Sequence, residues 1–532
     1  MSLPFKKCAL ALAQIALSNA LYLIPATSLA GLCEADVAAP LSSTRDGALQ
    51  GAEYLSAGEV ADRLAQGCFT SVALVQHLNE RIRRLDKKMI EERAINAVLE
   101  LDLEVLSVAQ GLDEERRQGK VRGPLHGVPV LLKDNIETAD GLQTAAGSPA
   151  MIGQPAPRDA FIVARLREAG AIILGKTNMS EWSNFRGDDL PDGWSGRGGQ
   201  THNPHKLDGE VCGSSSGSAA AVAAGFAPLS LGTETMGSII CPSSKNGVVG
   251  LKPSVGLLSR TGIVPASREL DSAGPITRSV RDAALMLNAM VGLDPQDPAT
   301  AQVPVAKDYS ALLKEDALKG KVIGYPSRFQ PGSEGLAEHP RFAGAMAAMR
   351  AAGAQLVPVD LQPTDWSEGQ MTRVNRLFDM SIKRVLPDYL ASRPGLPVLT
   401  LQALIDYNEN HPAEENHNQD LLKRANALEL DEDEYLKLVA ELGGEARANI
   451  DGLLATHRLD AFLGDPHPWA FLEFASAALA GYPNITVPSG LDAEGMPTWV
   501  HFFAGRWSEA ELLAIAYGYE QVSANLVHPV LP

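Results

Sequence analysis

Residues 212–252 read CGSSSGSAAAVAAGFAPLSLGTETMGSIICPSSKNGVVGLK. Two Gly/Ser loops, one around Ser214 and one around Ser238, bracket a run of small residues. That run reads as a buried helix, SAAAVAAGFA, followed by a strand, PLSLG. Upstream, HGVPVLLKDNIET carries a β-branched and aliphatic run, Val128 to Leu132, too short for a helix and ending at Lys133. AFIVARLREAG followed by AIILG repeats a helix–glycine–strand unit, and VIGYP, AFLGD and NITVPSG continue the pattern. The alternation predicts α/β architecture.

Working outward, the N-terminal residues 1–30 carry a different signal. Lys6 and Lys7 precede a long uncharged apolar stretch, and Ser28-Leu29-Ala30 supplies small residues at a cleavage site. A signal peptide is expected, and export to the periplasm or beyond. The run is long enough to span a bilayer, but Gln14, Ser18, Asn19 and Pro25 weigh against an anchor. Residues 31–50 lack periodicity and read as a linker, leaving 51–532 as the folded unit. There, apolar spacing predicts a helix after Ser56 and another with Thr70 or Ser71 as N-cap. Residues 335–455 are charged and mostly helical in pattern. Tyr435, Leu438, Val439, Leu442 and Ala446 share one face behind the acidic start DEDE. They predict a helical cover over the α/β core.

A formal charge of −18 over 532 residues argues against nucleic acid and against an anionic membrane surface as partners. No membrane contact is expected after signal cleavage. Removal of residues 1–30 leaves Cys33, Cys68, Cys212 and Cys241. No CxxC or Cys/His spacing suggests zinc, and no metal or other cofactor is expected. Cys33 and Cys68 could pair in an oxidising compartment. Cys212 and Cys241 are expected as buried neutral thiols, in small-residue loops, rather than as a bridge.

Two serines in glycine turns and one lysine leaving a buried strand suit acyl transfer. Amide hydrolysis needs a hydroxyl that loses its proton as it attacks, donors for the oxyanion, and an acid for the departing nitrogen. The turn before Ser238 is placed to aim the N–H groups of Thr235, Met236, Gly237 and Ser238 inward. Burial would lower the pKa of Lys133 and make it a proton acceptor.

From about Gly58 to Ser523 the chain resembles the amidase signature family, on HGVPVLLKDN, CGSSSGS and GTETMGSIICP in order and on the closing GYPNITVPSG. The resemblance implies one large α/β/α fold on a mixed central sheet covered by helices. It also implies Ser238 as nucleophile, Ser214 as bridging serine after a cis peptide bond, and Lys133 as base. With WSNFRGDDLPDGWSGRGGQTHNP the motifs look most like those of bacterial peptide amidases, which remove C-terminal amides. The expected substrate is a short-peptide or small-molecule amide, with simple aliphatic or aryl amides as the alternative. Many family members carry Asp, Gly and Arg where this chain has Glu234, Met236 and Ile240. The side chain of Met236 is placed to alter pocket size, and Ile240 removes a charge partner.

Other readings compete. Asn178 and Glu181 orient substrate or hold a loop. Asp271 reads as a structural hydrogen-bonding residue. Gly213–Gly217 also fits a G-x-S-x-G elbow, with Ser215 attacking and His467 or His501 as base. His202 and His205 are expected as solvated loop residues. A non-catalytic periplasmic binding protein, holding an anion at a helix N-terminus, is the reading from another class.

Overall fold

Strand β2 (Pro129–Lys133) is buried along its whole length, as its unbroken apolar run requires of a strand covered on both faces. In the computed structural model, which describes residues 49–531 except 91, 305–307, 328–339, 362–367, 412–416 and 465–470, β2 lies inside an eleven-stranded sheet. The remaining strands are β1 (Val98–Leu101), β3 (Ile172–Thr177), β4 (Trp194–Ser195), β5 (Gly199–Gln200), β6 (Leu229–Glu234), β7 (Val249–Lys252), β8 (Ser272–Thr277), β9 (Val322–Pro326), β10 (Gln355–Val359), β11 (Ala461–Gly464), β12 (Asn484–Leu491) and β13 (Pro497–Phe503). Their order across the sheet is β1-β3-β2-β6-β8-β7-β12-β13-β11-β9-β10, while β4 and β5 form a separate ribbon. Strand β2 runs parallel to both β3 and β6, whereas β6–β8, β7–β12 and β12–β13 are antiparallel. The sheet is mixed, and helices cover it.

The small-residue run forms the helix Ser216–Ala223, every residue of which is buried. It packs on β6, β2, β3 and β8. A Cβ at Gly217 would lie 2.5 Å from the carbonyl oxygens of Ala97 and Asn178. Only glycine allows this helix so close to the chain beneath it. Toward the N-terminus, Ala57–Gln66 is closed by a Ser56–Glu59 capping box, and Thr70 caps Ser71–Leu85 through the N–H of Ala73. The expected signal peptide 1–30 and nearly all of the linker 31–50 lie outside the described residues. No described helix is long and apolar enough to cross a membrane.

Four helices, Glu368–Ala391, Leu401–Asn410, Asp420–Ala427 and Glu432–His457, form the cover. Asp431 caps the last of them, and Tyr435, Leu442 and Ala446 are buried on its inner face. Arg376 pairs with Glu434 at 2.8 Å, tying two cover helices. The stretch 335–455 is not wholly helical: β10 pairs in parallel with β9 at the sheet edge. Its sequence QLVPV is obscured by the Ala-rich helical pattern that precedes it.

Candidate active site

Lys133 is the last residue of β2, so its side chain emerges where the central strands end. It is fully buried. Its Nζ lies 2.8 Å from Ser214 Oγ, 2.9 Å from Thr233 Oγ1 and 3.1 Å from the Thr233 carbonyl oxygen. Burial lowers its pKa to about 7, against the opposing pull of Asp271 and Glu234. A lysine held there is neutral in a large fraction of molecules near pH 7, as a proton acceptor requires. Its neighbour Asp134 is turned away into an ion pair with Arg197 and accepts the N–H of Gly147 at 2.9 Å.

Ser214 follows a cis peptide bond from Gly213. Its carbonyl accepts the N–H of Ser180 at 3.1 Å, and the N–H of Ser215 donates to the Ser238 carbonyl at 3.1 Å. The two serine loops are thus stitched together by backbone. A disulfide between Cys212 and Cys241, with Cα atoms 5.9 Å apart, joins them a second time. This corrects the expectation of neutral thiols. The folding of the two loops onto each other, invisible in a spacing of 29 residues, brings the sulfurs together. Cys68 is also disulfide-bonded, and the expected partner Cys33 lies outside the described residues.

Ser238 is 7% exposed at the end of the turn that follows β6. The Glu234 carboxylate accepts the N–H groups of Ile239 and Ile240 at 2.7 and 3.0 Å, closing that turn from below. Gly237 sits at φ 82°, the left-handed region glycine enters without penalty. Among the described residues, the N–H groups of Met236, Gly237 and Ser238 donate to no acceptor. Thr235 is held by its hydroxyl, which donates to Asp271 Oδ1 at 2.7 Å. The other oxygen of Asp271 accepts from the N–H groups of Ala266 and Ser267 at 2.8 Å each. Met236 packs against the apolar cluster under the cover helices.

Ser215 Oγ donates to the Thr233 carbonyl at 3.0 Å, and no described histidine touches it. His501 sits instead on β13 beside Asn484, and His467 lies outside the described residues. Asn178 spends its side chain on Gly199, Thr201, Met179 and Ser195, holding the β4–β5 ribbon. Glu181 pairs with Arg186 at 3.0 Å and accepts the N–H of Gly196 at 2.7 Å, both side chains being buried. The Asn178 amide is fully engaged, and each Glu181 oxygen already accepts one hydrogen bond from the protein. His202 and His205 are half-buried rather than solvated, because their loop is tucked beneath its neighbours. His202 Nδ1 lies 2.7 Å from the Ala94 carbonyl, and burial pushes His205 down to about 4. Sequence reasoning missed Thr233 and Asn135, whose Nδ2 donates to Thr233 Oγ1 at 2.9 Å. Both stand beside residues it did single out. No group of metal-ligating side chains occurs among the described residues.

The family model for Amidase matches residues 74–513. A native peptide amidase from Stenotrophomonas maltophilia shares the fold at TM-score 0.83 and 41% identity, over 90% of this chain and 98% of that one. A probable amidase of Arabidopsis thaliana is 38% identical over 465 residues, 85% of this chain and 87% of its own. A glutamyl-tRNA(Gln) amidotransferase chain of Carboxydothermus hydrogenoformans is 31% identical across 88% of this chain and 97% of its own. With a continuous match over most of its length, the chain belongs to the amidase signature family and is an amide-hydrolysing enzyme.

Proposed function

We propose that the enzyme hydrolyses C-terminal carboxamides of peptides through a Ser238–Ser214–Lys133 relay. The observation that carries the relay is the contact of Lys133 Nζ with Ser214 Oγ at 2.8 Å, by a lysine whose pKa burial has lowered to about 7. In this reading Ser238 Oγ attacks the amide carbonyl carbon while its proton passes to Ser214, and the proton of Ser214 passes to Lys133. The oxyanion accepts from the unpaired N–H groups of the Thr235–Ser238 turn. Collapse breaks the C–N bond. The nitrogen leaves as ammonia with a proton returned from Lys133 through Ser214. Water then attacks the acyl-Ser238 ester along the same relay, releasing the carboxylic acid and restoring Ser238.

The substrate class is supported by motif similarity in WSNFRGDDLPDGWSGRGGQTHNP and by the resemblance to a peptide amidase at 41% identity. Export accords with the apolar N-terminal stretch and with the Cys212–Cys241 disulfide, a bond favoured in oxidising compartments. Ammonia release from a panel of peptide amides, set beside simple aliphatic and aryl amides, tests this reading. Turnover of peptide amides supports it. Turnover of simple amides alone moves the substrate and keeps the chemistry.

A further inference from the structure

We propose that Asn135 and Trp182 form a subsite for the peptide unit that precedes the scissile amide. The proposal rests on the peptide-amide reading above. Three spaces adjoin one another along the site. An open cavity of about 500 Å³, walled in part by Arg260, Ile263 and Asp271, shares those residues with a narrow gap beside Thr233 and Thr235. The gap in turn shares Asn135 and Ser183 with a slot bounded by Trp182, Phe185, Leu386 and Leu422. The gap, itself of about 10 Å³, therefore lies alongside Thr233, which holds the base, and Thr235, on the oxyanion turn.

Two buried polar atoms of that slot have no partner. Asn135 is 2% exposed and spends its Nδ2 on Thr233, while its Oδ1 accepts nothing. Trp182 is 5% exposed, and its Nε1–H donates to nothing. Of nineteen buried side-chain polar atoms without a hydrogen-bond partner among the described residues, these two line the same slot, and such atoms call for a partner supplied from outside the chain. One acceptor and one donor in a slot otherwise lined by apolar side chains and Ser183 complement the N–H and C=O of a single peptide unit. In this assignment Asn135 Oδ1 accepts the N–H of the substrate's last residue, and Trp182 Nε1 donates to the preceding carbonyl.

The backbone agrees. Trp182, Ser183 and Asn184 all occupy the left-handed region, at φ 51°, 57° and 71°. Residues with side chains avoid that region, and runs of them concentrate at ligand clamps. The slot itself holds only about 10 Å³, so the substrate must displace Ile382 and Leu386 of the cover helix, and Leu422 opposite them, to enter.

The test compares kcat/KM for an N-acetylated dipeptide amide and a simple aryl amide in wild type and Trp182→Phe, which keeps the ring and deletes the N–H. A third substrate carries an ester oxygen in place of the dipeptide's internal N–H, with ammonia release as readout. The expected results are a peptide-to-simple ratio lowered about tenfold or more in the variant, and a similar loss for the ester substrate in wild type. An unchanged ratio, or equal falls on both amides, overturns the subsite while leaving the peptide-amide reading intact. Wild type silent on peptide amides but active on the aryl amide overturns the substrate reading, and the subsite with it.

Discussion

Cys212 and Cys241 are bonded to each other, the first two residues before Ser214 and the second three residues after Ser238. The bond therefore clamps together the two serine loops whose hydroxyls meet in the proposed relay. Opening it removes a cross-link over a separation of 29 residues, which on chain entropy stabilises a fold by roughly 3–4 kcal/mol. It also frees the loops to drift, and misplacement of reacting groups by about 1 Å costs on the order of a hundredfold. The double variant Cys212→Ser/Cys241→Ser is expected to lose about ten- to hundredfold in kcat and to melt at lower temperature. Its far-UV circular dichroism at 25 °C should match wild type. Full turnover in the double variant would show that backbone bonds alone hold the loops.

The pH dependence follows from Lys133. In the proposed relay Lys133 is the proton acceptor and must be neutral, and burial lowers its pKa to about 7. The rate kcat/KM should then rise with pH, with its midpoint near 7, because the inactive form is the ammonium. Glu234 is one of two carboxylates that favour that ammonium. Replacing it with Gln keeps an acceptor for the N–H groups of Ile239 and Ile240 and removes the charge. The pKa of Lys133 falls, so the acid limb should move to lower pH. A shift to higher pH would contradict the assignment of Lys133 as base.

Removal of the reacting groups separates the two serine readings. Ser238→Ala is expected to lower kcat by about 10⁴-fold or more, and Lys133→Ala to lose most activity. A serine-directed phosphonate should label Ser238 and leave Ser215 unmodified, since Ser215 Oγ is tied to the Thr233 carbonyl. Peptide mapping of the labelled enzyme reads this directly. Label on Ser215 would restore the elbow reading.

Periodicity and small-residue patterning were enough to place the central elements. The run Val128–Leu132 could only be a strand covered on both faces, and the alanine-rich run after Ser214 could only be a helix pressed onto the sheet. The positions of Lys133 and of the two serine loops were legible for the same reason, since they sit at the ends of those elements. What sequence could not supply was distance. Cys212 and Cys241 looked like separate small-residue positions until the loops folded together. For Asn178 and Glu181 the sequence could not show the protein partners Ser195, Thr201, Arg186 and Gly196 that their side chains engage. The edge strand β10 was hidden because local pattern does not reveal which neighbour will pair with it.

Glu181 and Arg186 offer the remaining prediction. Their ion pair spans 3.0 Å with both side chains at about 1% exposure or less, and burial raises the Glu181 pKa even against the pull of the guanidinium. Arg186 also stacks over Trp194 and donates to the His417 and Asn418 carbonyls, joining the β4–β5 ribbon to the helical cover. Deleting one partner of a buried pair leaves an uncompensated charge and destabilises by about 3–5 kcal/mol. Arg186→Leu and Glu181→Gln should therefore each lower the melting temperature by several degrees, since Gln leaves the guanidinium without its counter-charge and turns one of two accepting oxygens into a donor. If the pair holds the loop rather than the substrate, KM for peptide amides in Glu181→Gln should stay within about threefold of wild type. A KM raised more than tenfold with an unchanged melting temperature would return Glu181 to the substrate.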